Sequence, residues 1–90
     1  MAIAVVFDAP GMTSNQYDGI IRGLEAAGEG APAGRLYHVA AQKPDGWLVV
    51  DIWDSEERLN QFAQTLMPLI QQAGVTIAPQ VYPLHNAIAG

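Results

Sequence analysis

Hydrophobic positions along the chain switch between the two-residue period of strands and the longer period of helices, and these switches mark six elements. Short apolar runs rich in β-branched and aromatic residues predict strands, and stripes repeating every three to four residues predict helices. The predicted strands cover residues 2–7, 35–42, 47–53 and 75–84, and the predicted helices cover residues 14–27 and 55–73. Residues 28–34, rich in glycine and alanine, predict a surface loop.

Local signals mark where the two helices begin. Thr13 and Gln16 have the spacing of a capping box, in which each side chain bonds the other's backbone N–H, and Asp54 with Glu57 predicts a second one. Within the second helix, Pro68 lacks the N–H that the helix ladder needs. We therefore expect a kink or a break there.

The last predicted strand contains Pro79 and Pro83, which favours an edge position because proline cannot donate to a sheet ladder. The resulting order, β-α-β-β-α-β, is that of the ferredoxin-like plait. The predicted class is α+β: a four-stranded antiparallel sheet with both helices on one face. Residues 1–90 leave room for one domain only.

The segment Lys43 to Gly46 is a strong hairpin turn, with proline and glycine at the positions that turns favour. Pairing Lys43 with Gly46 sets His38 opposite Asp51 across the hairpin. The same register sets Leu36 opposite Trp53. Side chains alternate between the faces of a strand, so this pairing also predicts which residues share a face.

One face of this hairpin is nearly all apolar, and we expect it to lie under the helices; it carries Tyr37, Val39, Ala41, Leu48, Val50 and Ile52. The other is mixed, and carries Leu36, His38, Ala40, Gln42, Trp47, Val49, Asp51 and Trp53. With two tryptophans, a valine and a leucine, this face would form a larger exposed hydrophobic patch than monomers usually have. We therefore predict a homodimer, stacked sheet to sheet into an α+β barrel, with a pocket at this mixed face.

Composition narrows the partners. Half of the residues are hydrophobic and only 14% are charged, which is rich for a lone small domain and favours self-association. The net charge of -5 argues against nucleic acid or an anionic membrane as a partner. The first residues carry no basic n-region, so we expect no signal peptide and a cytoplasmic protein. The absence of cysteine excludes a disulfide scaffold and a cysteine nucleophile.

The chain resembles the dimeric α+β barrel superfamily, in its antibiotic-biosynthesis-monooxygenase-like group. The element order, the small size, the segment GRLYHVAAQKPDGWLVVDIWDSEERLNQF and the tail VYPLHN carry the likeness. The spacing His-x₁₂-Asp-x-Trp, followed by Asp-Ser-Glu-Glu, belongs to it. The resemblance implies a fold shared by cofactor-free monooxygenases, polyketide cyclases, muconolactone isomerases, and aldoxime dehydratase-like and haem-handling enzymes. Haem-degrading members place a histidine on the second helix, which this chain lacks.

His38 and Asp51 are the predicted catalytic pair. A carboxylate bonded to an imidazole fixes its tautomer and favours its action as a general base. Trp47 and Trp53 are predicted as aromatic walls for a flat hydrophobic substrate, with Val49 between them. The alternative is that histidine and aspartate only satisfy each other inside a dimer core.

Three further residues are predicted substrate contacts. Gln80 and Tyr82 share a face of the last strand, and His85 follows it. Their alternatives are a dimer contact for the first two and a surface position for His85. Tyr17 and Tyr37 are interpreted as core residues; the alternative for Tyr17 is a hydroxyl that points into a cleft between the first helix and the sheet.

The leading hypothesis is a small cofactor-independent enzyme of monooxygenase, cyclase or isomerase type, acting on an aromatic or polyketide-like substrate. We predict no cofactor and no metal. The alternatives are a non-catalytic ligand-binding or structural dimer, and a haem-binding protein using His38 or His85. Glycine patterns for phosphate binding are missing.

Overall fold

The structure, a computed structural model, describes residues 1–90 and contains the six predicted elements in the predicted order. The strands are β1 (Ile3–Pro10), β2 (Arg35–Lys43), β3 (Gly46–Trp53) and β4 (Ala78–Pro83), and the helices are α1 (Ser14–Ala26) and α2 (Glu56–Ala73). Neither helix is long and apolar enough to cross a bilayer.

The four strands form one antiparallel sheet in the order β2-β3-β1-β4. This confirms the ferredoxin-like α+β class. It also confirms β4 as an edge strand, which suits Pro79 and Pro83 because a strand end or an open edge tolerates a missing N–H. The strand is shorter than predicted, since residues 75–77 pair with no neighbour.

The helix ends follow the predicted signals in one case and shift by a residue in the other. Thr13 and Gln16 form the complete capping box at α1. At α2 the cap is Ser55, whose Oγ accepts from the backbone N–H of Arg58, so the predicted box on Asp54 is wrong. A serine in extended backbone conformation serves as well as aspartate there. The helix continues as one element through Pro68.

The prediction of which sheet face lies under the helices is wrong: the two faces are exchanged. The helices cover the face that carries His38, Trp47, Asp51 and Trp53, and Trp53 is fully buried there. Tyr37, predicted in the core, is 45% exposed on the open face, and Val39 beside it is 59% exposed. The buried core cluster is formed by Ile3, Val5, Phe7, Ala9, Met12, Ile20, Leu24, Trp53, Leu59, Phe62, Leu66 and Ile70.

The β2–β3 hairpin has the predicted register from Lys43 opposite Gly46 to His38 opposite Asp51. Gly46 is required there by space, since a Cβ would lie 2.3 Å from the carbonyl oxygen of Ala9. Near the far end the register shifts: Arg35, not Leu36, is the partner of Trp53, which corrects the predicted pairing. Leu36 is the extra residue of this bulge and is exposed.

Candidate functional site

His38 and Asp51 form a direct hydrogen bond between β2 and β3. The distance from His38 Nδ1 to Asp51 Oδ1 is 2.6 Å. The Asp51 side chain is only 3% exposed, whereas that of His38 is 22% exposed. A buried carboxylate is an acceptor, so it fixes the histidine proton on Nδ1 and leaves Nε2 as the basic nitrogen.

Tyr17 of α1 extends this pair to a chain of three groups. Its hydroxyl lies 2.7 Å from His38 Nε2, so with the proton on Nδ1 the tyrosine O–H donates to Nε2. Its ring stacks on Trp47, with centroids 5.4 Å apart and planes inclined by 22°. The first helix thus places a hydroxyl over the hairpin, and the indole of Trp47 holds its ring in place.

The electrostatics keep Tyr17 protonated. Burial raises the pKa of its phenol above the ordinary value of 10.0, and the negative charge of Asp51 raises this pKa further. Arg35 acts in the opposite direction on the same pKa. At neutral pH the group is therefore a hydroxyl that can pass a proton, and not a phenolate base.

A cavity of about 50 Å³ lies between the sheet and the helices, inside a concave region of about 500 Å³ that includes its opening to solvent. Twelve of its fifteen lining residues are hydrophobic. The full lining is Phe7, Ala9, Met12, Tyr17, Ile20, Ile21, Leu24, Arg35, His38, Val49, Asp51, Phe62, Leu66, Ile70 and Ile77. The three linked polar groups thus border a largely apolar space, as ligand pockets do.

Three of the predicted site residues line this cavity: His38, Asp51 and Val49. Trp47 does not line the cavity, but its ring stacks on that of Tyr17, which does. Trp53 lies in the core, with its ring centroid 5.1 Å from that of Phe62. The buried indole N–H groups of both tryptophans have no hydrogen-bond partner.

Gln80, Tyr82 and His85 lie away from the cavity. The register of β4 on β1 pairs Gln80 with Val6 and Tyr82 with Ala4, which places both on the open face of the sheet. There the Tyr82 hydroxyl donates to the Gln80 side-chain oxygen. His85 follows β4 and is exposed.

Arg35 was missed at the level of sequence, whereas Tyr17 was interpreted as a core residue, with a hydroxyl pointing into a cleft between α1 and the sheet as its alternative. Tyr17 is the one member of the α1 apolar stripe with a polar tip, and that was the available signal. Arg35 is the first residue of β2. The face of the sheet to which its side chain points depends on a bulge that no residue pattern indicated.

The donor set offers little to a metal or to haem. No group of three or more histidine, aspartate or glutamate side chains is placed to hold a metal ion. Both ring nitrogens of His38 are hydrogen-bonded, so coordination of haem iron would have to break the bond to Tyr17 or to Asp51. His38, the one histidine that lines the cavity, is therefore unsuited to serve as an axial ligand of haem iron.

Comparison with known proteins gives a consistent picture of the fold. No protein-family model and no curated protein matches the chain. A variant of SnoaB, a cofactor-independent oxygenase from Streptomyces nogalater, superposes with a TM-score of 0.70 at 8% identity, over 99% of this chain and 98% of that one. Rv0793 from Mycobacterium tuberculosis gives 0.67 at 17% identity, over 98% and 100%.

A provisionally described antibiotic biosynthesis monooxygenase from Chloroflexus aurantiacus gives a TM-score of 0.66 at 19% identity, over all of both chains. These structures confirm the resemblance to antibiotic-biosynthesis-monooxygenase-like proteins in fold. At such low identities they establish the shared fold alone, and the chemistry has to be argued from the residues of this chain.

Proposed function

We propose that this chain is a small enzyme that removes a proton from a hydrophobic, aromatic or polyketide-like substrate without the help of a cofactor. The observation that carries this proposal is the continuous hydrogen-bonded chain from Tyr17 through His38 to Asp51 at the edge of an apolar cavity. Removal of a proton is the first step that oxygenation, cyclisation and isomerisation of such substrates can share.

The geometry supports a relay. His38 Nε2 is covered by the Tyr17 hydroxyl, so the substrate proton passes to the tyrosine oxygen while the tyrosine proton passes to Nε2. The substrate becomes an anion and His38 becomes an imidazolium, which the carboxylate of Asp51 stabilises from the other side. Tyr17 is neutral before and after the transfer.

The cavity opens to solvent and is lined mainly by hydrophobic residues, which supports a hydrophobic substrate. Its central space of about 50 Å³ is well below the ~300 Å³ at which ligand pockets begin, so binding requires the lining to yield. Met12 is suited to this, because an unbranched thioether side chain adapts its shape easily. Tyr17, whose ring is stacked on Trp47, offers an aromatic contact in the lining.

We also propose that two copies pair through the open face of the sheet, and not through the mixed face that the sequence suggested. This face presents Val39, Tyr37 and Leu48 with no helix above it. Lys43 forms ion pairs with Asp8 at 3.0 Å and with Asp45 at 3.7 Å; both lie near the strand ends and leave the centre of the face apolar. A second copy of the same sheet is the simplest complement, as in an isologous dimer.

Hydrogen–deuterium exchange tests the chemistry without knowledge of the final product. Fused-ring phenols and 1,3-diketones are incubated in D₂O with the native chain, and deuterium incorporation at the acidic carbon is followed by mass spectrometry. We expect exchange to be accelerated by the native chain and reduced by His38→Ala about 100-fold or more, the size of a general-base contribution. Asp51→Asn should lose a similar factor, because an amide favours the wrong histidine tautomer.

Gln64→Ala, on the exposed side of α2, is the matched control and should exchange like the native chain. Equal exchange by native and His38→Ala chains would contradict the proposal. Ligands that raise the melting temperature of the native chain without any exchange would instead indicate a non-catalytic binding protein.

A further inference from the structure

We infer that Arg35 binds the negatively charged oxygen of the substrate and so selects substrates whose anion is held on oxygen, such as phenols and enolisable ketones. This inference rests on the proposed function, since it concerns the anion that proton removal leaves behind. It adds a specificity-determining residue to the chain of Tyr17, His38 and Asp51.

The bulge at Leu36 is what brings Arg35 to the site. In a regular continuation of the hairpin register, Leu36 would pair with Trp53, and Arg35 would point to the open face. Because Leu36 is left over, Arg35 pairs with Trp53 and shares the helix-side face with His38 and Asp51. Bulges that redirect one side chain are frequent beside active sites.

Arg35 is the only lysine or arginine that lines the cavity. It has no carboxylate within ion-pair distance, although the chain carries nine acidic residues. Its guanidinium donates one hydrogen bond, to the Gly30 carbonyl at 3.1 Å, and its carbon atom lies 5.8 Å from the centre of the Phe62 ring. A guanidinium has five N–H donors in a planar fork, so donors remain for a ligand.

The chemistry of the step calls for such a group. Proton removal creates a negative charge in a space with twelve hydrophobic lining residues, and near the carboxylate of Asp51. An anion left without a partner in these surroundings is strongly disfavoured. A fixed cation that meets the developing oxygen charge lowers the barrier to its formation. A carbanion without a conjugated oxygen would find no such partner.

A pair of probes of the same shape separates charge recognition from apolar binding. 4-Nitrophenol, at a mildly alkaline pH where it is ionised, and 4-nitroanisole, which has no acidic hydroxyl, are titrated into the full chain and followed by absorbance and calorimetry. We expect the native chain to prefer the phenolate, and Arg35→Met to bind it about 10- to 100-fold more weakly, the usual effect of losing a hydrogen bond to a charged group.

Three internal controls distinguish the loss of charge recognition at Arg35 from a change in the fold or in the net charge. Binding of 4-nitroanisole should be the same in the native chain and in Arg35→Met, which shows that the fold and the apolar cavity are intact. Arg35→Lys should recover part of the phenolate affinity. Arg22→Met removes the same charge from the exposed face of α1 and should bind both probes like the native chain.

The inference is overturned if the native chain shows no preference for the phenolate, or binds neither probe, or if Arg22→Met weakens phenolate binding as much as Arg35→Met. It is also overturned if Arg35→Met loses both probes equally, since Arg35 is then structural. These outcomes are independent of proton removal: failure of the His38→Ala exchange test would reject the base and leave the phenolate preference standing.

Discussion

At the residue scale, the site depends on His38 lying between a donor and an acceptor. Asp51 bonds one ring nitrogen and Tyr17 bonds the other, so the imidazole is fixed in both tautomer and orientation. The hairpin register sufficed to predict the first of these bonds. The second needed the packing of α1 over the sheet, which the sequence pattern of a single helix does not contain.

The raised pKa of Tyr17 predicts a stability change at alkaline pH. Because burial and Asp51 hold this pKa above 10.0, its contribution to stability is complete below pH 10.0 and is lost as pH rises through the folded-state pKa. The native chain should exceed Tyr17→Phe in free energy of unfolding by about 1 kcal/mol at neutral pH, because the phenylalanine lacks the hydroxyl bond. This gap should narrow above pH 10.0.

Urea unfolding at neutral and alkaline pH measures that gap. Tyr37→Phe, on the other side of the sheet, controls for the loss of a tyrosine. A gap that stays constant from neutral to strongly alkaline pH would show that the ionisation of Tyr17 is not linked to folding.

At the element scale, the order of strands and helices, the hairpin turn and the edge position of β4 followed from the sequence, because period, prolines and glycines are local signals. The covered face did not. Both faces of the hairpin carry large apolar residues, so alternation identifies two sets without saying which one the helices cover. The bulge at Leu36 was equally hidden, since both Leu36 and Arg35 fit a strand.

The cap of α2 supplies a prediction at this scale. Ser55→Ala should lower the free energy of unfolding by about 1 kcal/mol, because it removes the acceptor for the Arg58 N–H. Asp54→Ala removes only an exposed ion pair to Arg58 at 4.0 Å and should change stability by about 0.5 kcal/mol or less. Urea denaturation measures the free energy of unfolding of both variants. A larger decrease for Asp54→Ala than for Ser55→Ala would indicate that Asp54, and not Ser55, caps the helix.

At the scale of the whole molecule, the proposed pairing through the open face can be tested by one charge. Val39 is 59% exposed in the single chain, so Val39→Lys leaves the subunit fold intact but would bury a lysine between two sheets. We expect the native chain to sediment at twice its 9.6 kDa at micromolar concentration, and the variant at 9.6 kDa.

Gln61→Lys, on the exposed side of α2, adds the same charge elsewhere and should sediment like the native chain. Sedimentation of the native chain as a single subunit under these conditions would reject the pairing. Phenolate binding by the monomeric variant then reports whether one copy holds a complete cavity.

The cavity and the open face lie on opposite sides of the sheet, and this separation has a consequence for the evolution of the protein. Neighbouring side chains along β2 and β3 point to opposite faces of the sheet. His38 and Asp51 face the cavity, whereas Val39 and Val50 face outward. Substitutions at one set leave the other nearly untouched, because side chains on opposite sides of a sheet do not meet. On the proposed function and pairing, a descendant can therefore acquire a new substrate while keeping the same partner surface, or change that surface while keeping its chemistry.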